Sequence, residues 1–171
     1  MKMMSFWKSR ITDFFCSFKR KKKSEVKPEL FGSKGLLEIQ DLGIKVPLYD
    51  TSVGPAQTIV DAENSAVYLR WGNGQIAIAD HANQQNFSNL EKAIPGRTIA
   101  HIRTYDSDKE FICYQVQVGH IKTSASGNSI FDADGNPVFW QNPGGITIYT
   151  CIRRSASDVM DIRLTYWHPK Q

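Results

Sequence analysis

The 171-residue sequence has no apolar run long enough to cross a bilayer. A spanning helix needs about 20 predominantly apolar residues. The most aromatic stretch, MKMMSFWKSRITDFFCSF, is interrupted by Lys8, Arg10 and Asp13. It also lacks the clean apolar core and small-residue cleavage site of a signal peptide. Cysteine is scarce: Cys16, Cys113 and Cys151 lie far apart and form no C-x-x-C pair, which argues against a zinc motif or a disulfide framework. With an odd count, at least one cysteine is expected to remain a thiol. There is no G-x-G-x-x-G, P-loop or H-E-x-x-H motif, so nucleotide binding and simple zinc hydrolysis have no anchor, and no metal or cofactor is expected. No repeat of fixed period and no βαβ rhythm is visible.

What is present is the composition of a folded domain, with 41% hydrophobic and 22% charged residues. The net charge of +4 owes much to one run, Lys19 to Lys23. Five adjacent cations repel one another and do not pack. Ahead of them, Trp7, Ile11, Phe14 and Phe18 share a helical face. The pair of features predicts an interfacial helix and polybasic patch on an anionic membrane surface; a disordered tail, or a helix docked on protein, is the alternative. The basic run has no interleaved aromatics, so no nucleic acid is expected as a partner. The expected organisation is a tail at 1–23, a linker at 24–34 and one domain at 35–171.

Within that domain the chain reads as many short strands: 36–39, 44–49, 66–71, 75–79, 98–105, 110–118, 145–150 and 159–167. Gly72, Asn73 and Gly74 join the third and fourth as a hairpin. One short helix is expected at 86–94, ended by Pro95 and Gly96. The stretch from Lys122 to Pro137 reads as a surface loop with room for a short element inside it, and 152–158 reads as a loop. The sum predicts an all-β, closed or partly closed domain.

Three residues stand at places where chemistry is commonly displayed. His81 directly follows the strand at 75–79, Cys151 follows the strand GITIYT, and Arg163 lies within the last strand. A thiolate at Cys151 would attack a peptide carbonyl, an imidazolium at His81 would favour that thiolate and protonate the leaving amine, and Arg163 would hold substrate or meet the developing negative charge. Spacing alone does not bring the three together. Cys113 sits mid-strand and reads as inert; His101 and His120 read as hydrogen-bonded structural imidazoles. Asp106, Asp108 and Glu110 read as a solvated turn.

These residues resemble the sortase family of bacterial cysteine transpeptidases. TIYTC at 147–151 is similar to the family's T-L-x-T-C strand, with Ile148 in place of leucine. IAIADHANQQNFSNLEKAIPG at 76–96 is similar to the family's histidine-bearing segment, with His81 in the histidine's place. Arg163, 12 residues after Cys151, takes the place of the family's arginine, and LEIQDLGIKVPLYD at 37–50 resembles its first strands. The resemblance implies a sortase-like closed eight-stranded β-barrel with one or two short helices, and catalytic Cys151, His81 and Arg163 at the end of a groove. It implies cleavage of an LPxTG-like sorting peptide of a surface protein or pilin, transfer of the acyl group to an amine acceptor, and a place in the cell envelope, outside the cytoplasmic membrane. The family's usual transmembrane anchor has no counterpart in residues 1–23.

Two other readings compete. L,D-transpeptidases also order a histidine before a cysteine in an all-β fold and often carry C-x-R, echoed by Cys151 and Arg153; Tyr149 and Thr150 replace the serine and glycine expected before that cysteine. A non-catalytic β-barrel binding domain would use Trp71, Trp140 and Trp167 at an interface and would not need Cys151.

Overall fold

The computed structural model describes residues 33–70, 74–124, 127–138 and 141–171. The tail at 1–23, most of the linker, Trp71 and Trp140 lie outside the described residues.

Among the described residues nine strands form one sheet. They are β1 (Gly35–Ile39), β2 (Ile44–Tyr49), β3 (Ala66–Arg70), β4 (Ile76–Asp80), β5 (Ile99–Thr104), β6 (Asp108–Ser124), β7 (Gly127–Phe131), β8 (Ile146–Ala156) and β9 (Val159–Pro169). Their order is β5-β1-β2-β3-β4-β8-β9-β6-β7, and β5 also pairs with β6. That last pairing closes eight strands into a barrel and leaves β7 as an extra strand beside β6. Closure removes the unpaired edges that an open sheet would present. Most pairs are antiparallel, but β2–β3 and β4–β8 are parallel.

Period-two alternation divides the apolar residues between the two faces of the sheet. One cluster contains Leu37, Ile39, Val46, Ile78, Ala100, Phe111, Cys113, Ile146, Ile148 and Trp167. The 3-10 helix Phe87–Lys92 joins this cluster through Phe87 and Leu90. The second cluster lies on the opposite face: Val67, Ala77 and Ala79, Tyr149 and Cys151, Ile162, Leu164 and Tyr166. It is covered by helix α1 (Ala56–Asp61) through Ala56, Ile59 and Val60, and by Val138 of the loop before β8.

Several boundaries differ from the sequence expectation. The helix expected at 86–94 is a 3-10 helix, entered through Asn86 in the left-handed region at φ 62°. Helix α1 was not anticipated, although Gly54 and Pro55 ahead of Ala56 are a start signal. β6 continues to Ser124, and β7 lies inside the stretch expected to be loop. β8 does not end at Thr150. It runs through Cys151 to Ala156, with register shifts after Cys151 and after Arg154. The expected loop at 152–158 is mostly strand because β8 and β9 extend there as a two-stranded ribbon. Residues 152–158 are exposed, so no apolar alternation marks them.

Candidate functional site

Thr150 donates its hydroxyl to the Asp80 carbonyl at 2.7 Å, within the parallel pairing of β4 and β8. The register pairs Ala79 with Tyr149 and Asp80 with Thr150. That is the last pair, and the next residues on the two chains are His81 and Cys151. Ala79 and Cys151 belong to the same cluster, so His81, two residues after Ala79, continues on that face. On the other side of Cys151, β9 presents Ile162 as its cross-strand partner.

His81 is tightly held. Its backbone N–H donates to its own neighbour, Asp80 Oδ1, at 2.7 Å, and its carbonyl accepts from Gln84 N–H at 3.0 Å. Its ring Nε2 lies 2.8 Å from Asp61 Oδ1, at the end of α1. The imidazole is 15% exposed and the Asp61 side chain 45%. Gln84 Nε2 donates to the Val60 carbonyl at 3.0 Å, fastening the loop after His81 to the same helix.

Cys151 is buried, at 3% exposure. Its sulfur is in a disulfide. Cys113, the other cysteine among the described residues, is a free thiol. Nothing in the cysteine spacing had suggested a bridge. Cys113 is fully buried, and burial pushes its thiol up to about 11. A thiol so raised is a poor source of thiolate, in keeping with the inert reading.

Arg163 is differently disposed. It pairs across β9 with Thr150 on one side and Val118 on the other. Ile162 and Leu164 flank it and pack in the cluster that holds Cys151, so alternation turns Arg163 to the other face. There its guanidinium reaches Glu91 of the 3-10 helix at 3.6 Å, and its Nε is buried without a hydrogen-bond partner among the described residues. The structure therefore brings His81 and Cys151 to one face and turns Arg163 to the other, one residue along β9 from the partner of Cys151.

Two further groupings frame the site, and neither was legible in the sequence. Beyond the register shift that follows Cys151, the buried carboxylate of Asp161 accepts from Arg153 Nε and meets His120 Nδ1, both at 3.0 Å. On the face of Cys151, the loop before β8 is tied down through Asp132. That carboxylate accepts from the backbone N–H groups of Asp134 and Asn136 and from Gln141 Nε2. The Tyr166 hydroxyl then donates to Gln141 Oε1 at 2.9 Å, linking the loop to β9. His101 meets Asp108, and His120 meets Asp161, as expected of structural imidazoles. Trp167 is fully buried and donates Nε1–H to Thr165 at 2.8 Å, so it presents no binding surface. Among the described residues no helix is long and apolar enough to cross a membrane, and no group of three or more His, Cys, Asp or Glu is placed to hold a metal ion.

No protein-family model matches the chain, and no curated protein does. Solved structures do match. The pilus-related sortase C of Group B Streptococcus is 18% identical, with a TM-score of 0.59 over 96% of this chain and 81% of that one. Sortase C of Streptococcus pneumoniae is 19% identical, with a TM-score of 0.55 over 83% of this chain and 71% of that one. Sortase E1 from Streptomyces coelicolor, solved with a tripeptide in its active site, is 19% identical, with a TM-score of 0.53 over 80% and 90%. At such identities the agreement is one of backbone architecture, and together with the closed eight-stranded barrel it establishes that this chain has the sortase fold.

Proposed function

We propose that the reduced protein is a cysteine transpeptidase. The observation that supports this reading is the parallel β4–β8 register, whose last pair, Asp80 and Thr150, directly precedes His81 and Cys151 on the two chains. The thiolate of Cys151 attacks the carbonyl carbon of a peptide bond. His81 donates a proton to the departing amine, leaving a thioester. An incoming amine attacks that thioester, loses its proton to His81 and departs with the acyl group, and Cys151 is free again. The acyl donor is an LPxTG-like sorting signal of a surface protein or pilin, and the acceptor is an amine at the cell envelope, outside the cytoplasmic membrane. Residues 1–23 supply contact with an anionic membrane surface.

Arg163 enters this reading as the group that grips substrate. Its pairing with the half-exposed Glu91 is of a kind that contributes about 0–1 kcal/mol. Its role requires the guanidinium to exchange Glu91 for substrate.

The test is intact-protein mass spectrometry on the reduced full chain, incubated with LPxTG-type pentapeptides with and without an added amine. An acyl adduct on Cys151 that the amine discharges is expected, and Cys151→Ala should form none. His81→Ala should slow turnover by about 10²-fold, the scale of lost acid–base catalysis. No adduct from any peptide, with Cys151 alkylated no faster than Cys113, would overturn the reading. An Arg163→Ala variant with unchanged kcat/KM would remove Arg163 alone from the mechanism.

A further inference from the structure

We infer that Asp61 is the positioning residue for His81: its carboxylate fixes which imidazole nitrogen carries the proton and turns the other toward the Cys151 side. This rests on the proposed role of His81, but part of its test does not.

The argument begins with the position of Asp61. It is the last residue of α1. A carboxylate there faces the negative end of the helix, so the helix gains nothing from it. Its side chain is 45% exposed and adds little to the core. What it does is receive two donors at one oxygen: Gln57 Nε2 at 3.0 Å, one turn back, and His81 Nε2 at 2.8 Å. Gln57 thereby orients the carboxylate, which in turn orients the ring. The helix is itself anchored, through Ile59 and Val60 in the cluster that contains Cys151 and through the Gln84 bond to the Val60 carbonyl. The carboxylate is thus carried on a packed element, not on a free loop.

An ionised carboxylate only accepts hydrogen bonds, so Nε2 facing Asp61 must carry its proton. In the neutral ring Nδ1 is then the basic nitrogen. It is the one left to take the proton when the acceptor amine attacks, and to return a proton to the leaving amine. A ring of the other tautomer would present Nδ1–H and could not act as base. Removing a buried aspartate in the equivalent relation to a catalytic histidine costs roughly 10⁴-fold, because the wrong tautomer results. Asp61 is half exposed and water partly replaces it, so a loss of about 10- to 100-fold in kcat is expected, with KM changed less than about twofold.

The experiment uses the reduced full chain with ¹⁵N-labelled histidine. Long-range ¹H–¹⁵N correlation, recorded where the ring is neutral, reads the His81 tautomer. Wild type and Cys151→Ala should both show the proton on Nε2, and Asp61→Ala should show a mixture or the reverse. Asp61→Glu should restore the Nε2–H form, and Asp61→Asn should leave the folded fraction unchanged. In parallel, turnover of a quenched LPxTG-type peptide should fall in kcat for Asp61→Ala and recover at least partly in Asp61→Glu. A proton on Nδ1 in wild type, or a tautomer indifferent to Asp61→Ala, would overturn the inference. Peptide turnover absent in wild type with the tautomer shift intact would instead count against the proposed function, while the link from Asp61 to His81 stands.

Discussion

Replacing Asp161 by asparagine removes the charge on which the ribbon beyond Cys151 is fastened. The carboxylate is buried and faces Arg153 Nε and His120 Nδ1, with Ser155 as a further donor. An asparagine has one acceptor and one donor end, so its amide NH₂ would confront one of them. A hydrogen bond to a charged group contributes about 1.5–3 kcal/mol. The Arg153 side chain is 77% exposed, so water takes up most of its loss and its share falls toward the ~0–1 kcal/mol of a surface pair. His120 is more sheltered and keeps a larger share. The sum is about 2 kcal/mol, a sizeable part of the ~5–15 kcal/mol by which a domain is stable, and a fall of about 5–10 °C in melting temperature. The pH dependence gives the second half of the test. Burial is the largest single influence on Asp161 and raises its pKa, but hydrogen bonds from Arg153, Ser155 and His120 outweigh it and hold the carboxyl below its usual value. A depressed folded pKa contributes stability that is fully present above the unfolded value near 3.9 and is lost as pH falls through the folded value. Urea unfolding of Asp161→Asn and wild type should therefore show a gap that is full at pH 7 and narrows below about pH 4. A gap under about 0.5 kcal/mol at pH 7, or one that persists unchanged at pH 3, would refute the reasoning.

Three other outcomes can be checked directly. Thr150→Val keeps the shape of the side chain but leaves the Asp80 carbonyl without its 2.7 Å donor, so stability should fall by about 1–3 kcal/mol and turnover with it, because that bond lies one residue before His81 and Cys151. Gly119→Ala would place a methyl 2.5 Å from the Phe131 carbonyl oxygen and 3.1 Å from Leu164, so β7 must shift; urea unfolding should report a loss of about 1–3 kcal/mol. Iodoacetamide at pH 8 should leave Cys113 unmodified in the native reduced protein, since a thiol raised to about 11 is roughly one part in a thousand thiolate and is buried besides, and rapid native labelling there would contradict the core placement.

The strands of the barrel were largely legible because one period runs through them. IKVPLY at 44–49 alternates between faces and is a strand over that whole span, and the hairpin of β3 and β4 followed from its turn residues. The misses occurred where periodicity is silent. The outer half of β8 pairs with β9 while its side chains face solvent, so nothing in residue type distinguishes it from loop. Helix α1 has six residues, too few for a helical stripe to repeat. Asp61 precedes His81 by 20 residues, with a whole strand pair between them. No local signal could link the two, because their contact depends on α1 folding back over the outer face of β4.

The sequence by itself determined the class of fold, the position of the candidate imidazole just after a strand, and the likeness to sortases, since these rest on local pattern and short motifs; Cys151 it set at a strand end, where β8 in fact continues to Ala156. The tertiary structure alone decided which residues meet. Parallel pairing of β4 with β8 is a long-range register, and its last pair, Asp80 with Thr150, directly precedes His81 and Cys151. Antiparallel pairing of β8 with β9 opposes Thr150 to Arg163, and so turns the arginine away from the face of the cysteine toward Glu91. In a sheet a step of one residue exchanges one face for the other. Chain separation between Cys151 and Arg163 cannot specify that step, because it depends on the shift of register that the ribbon takes between them.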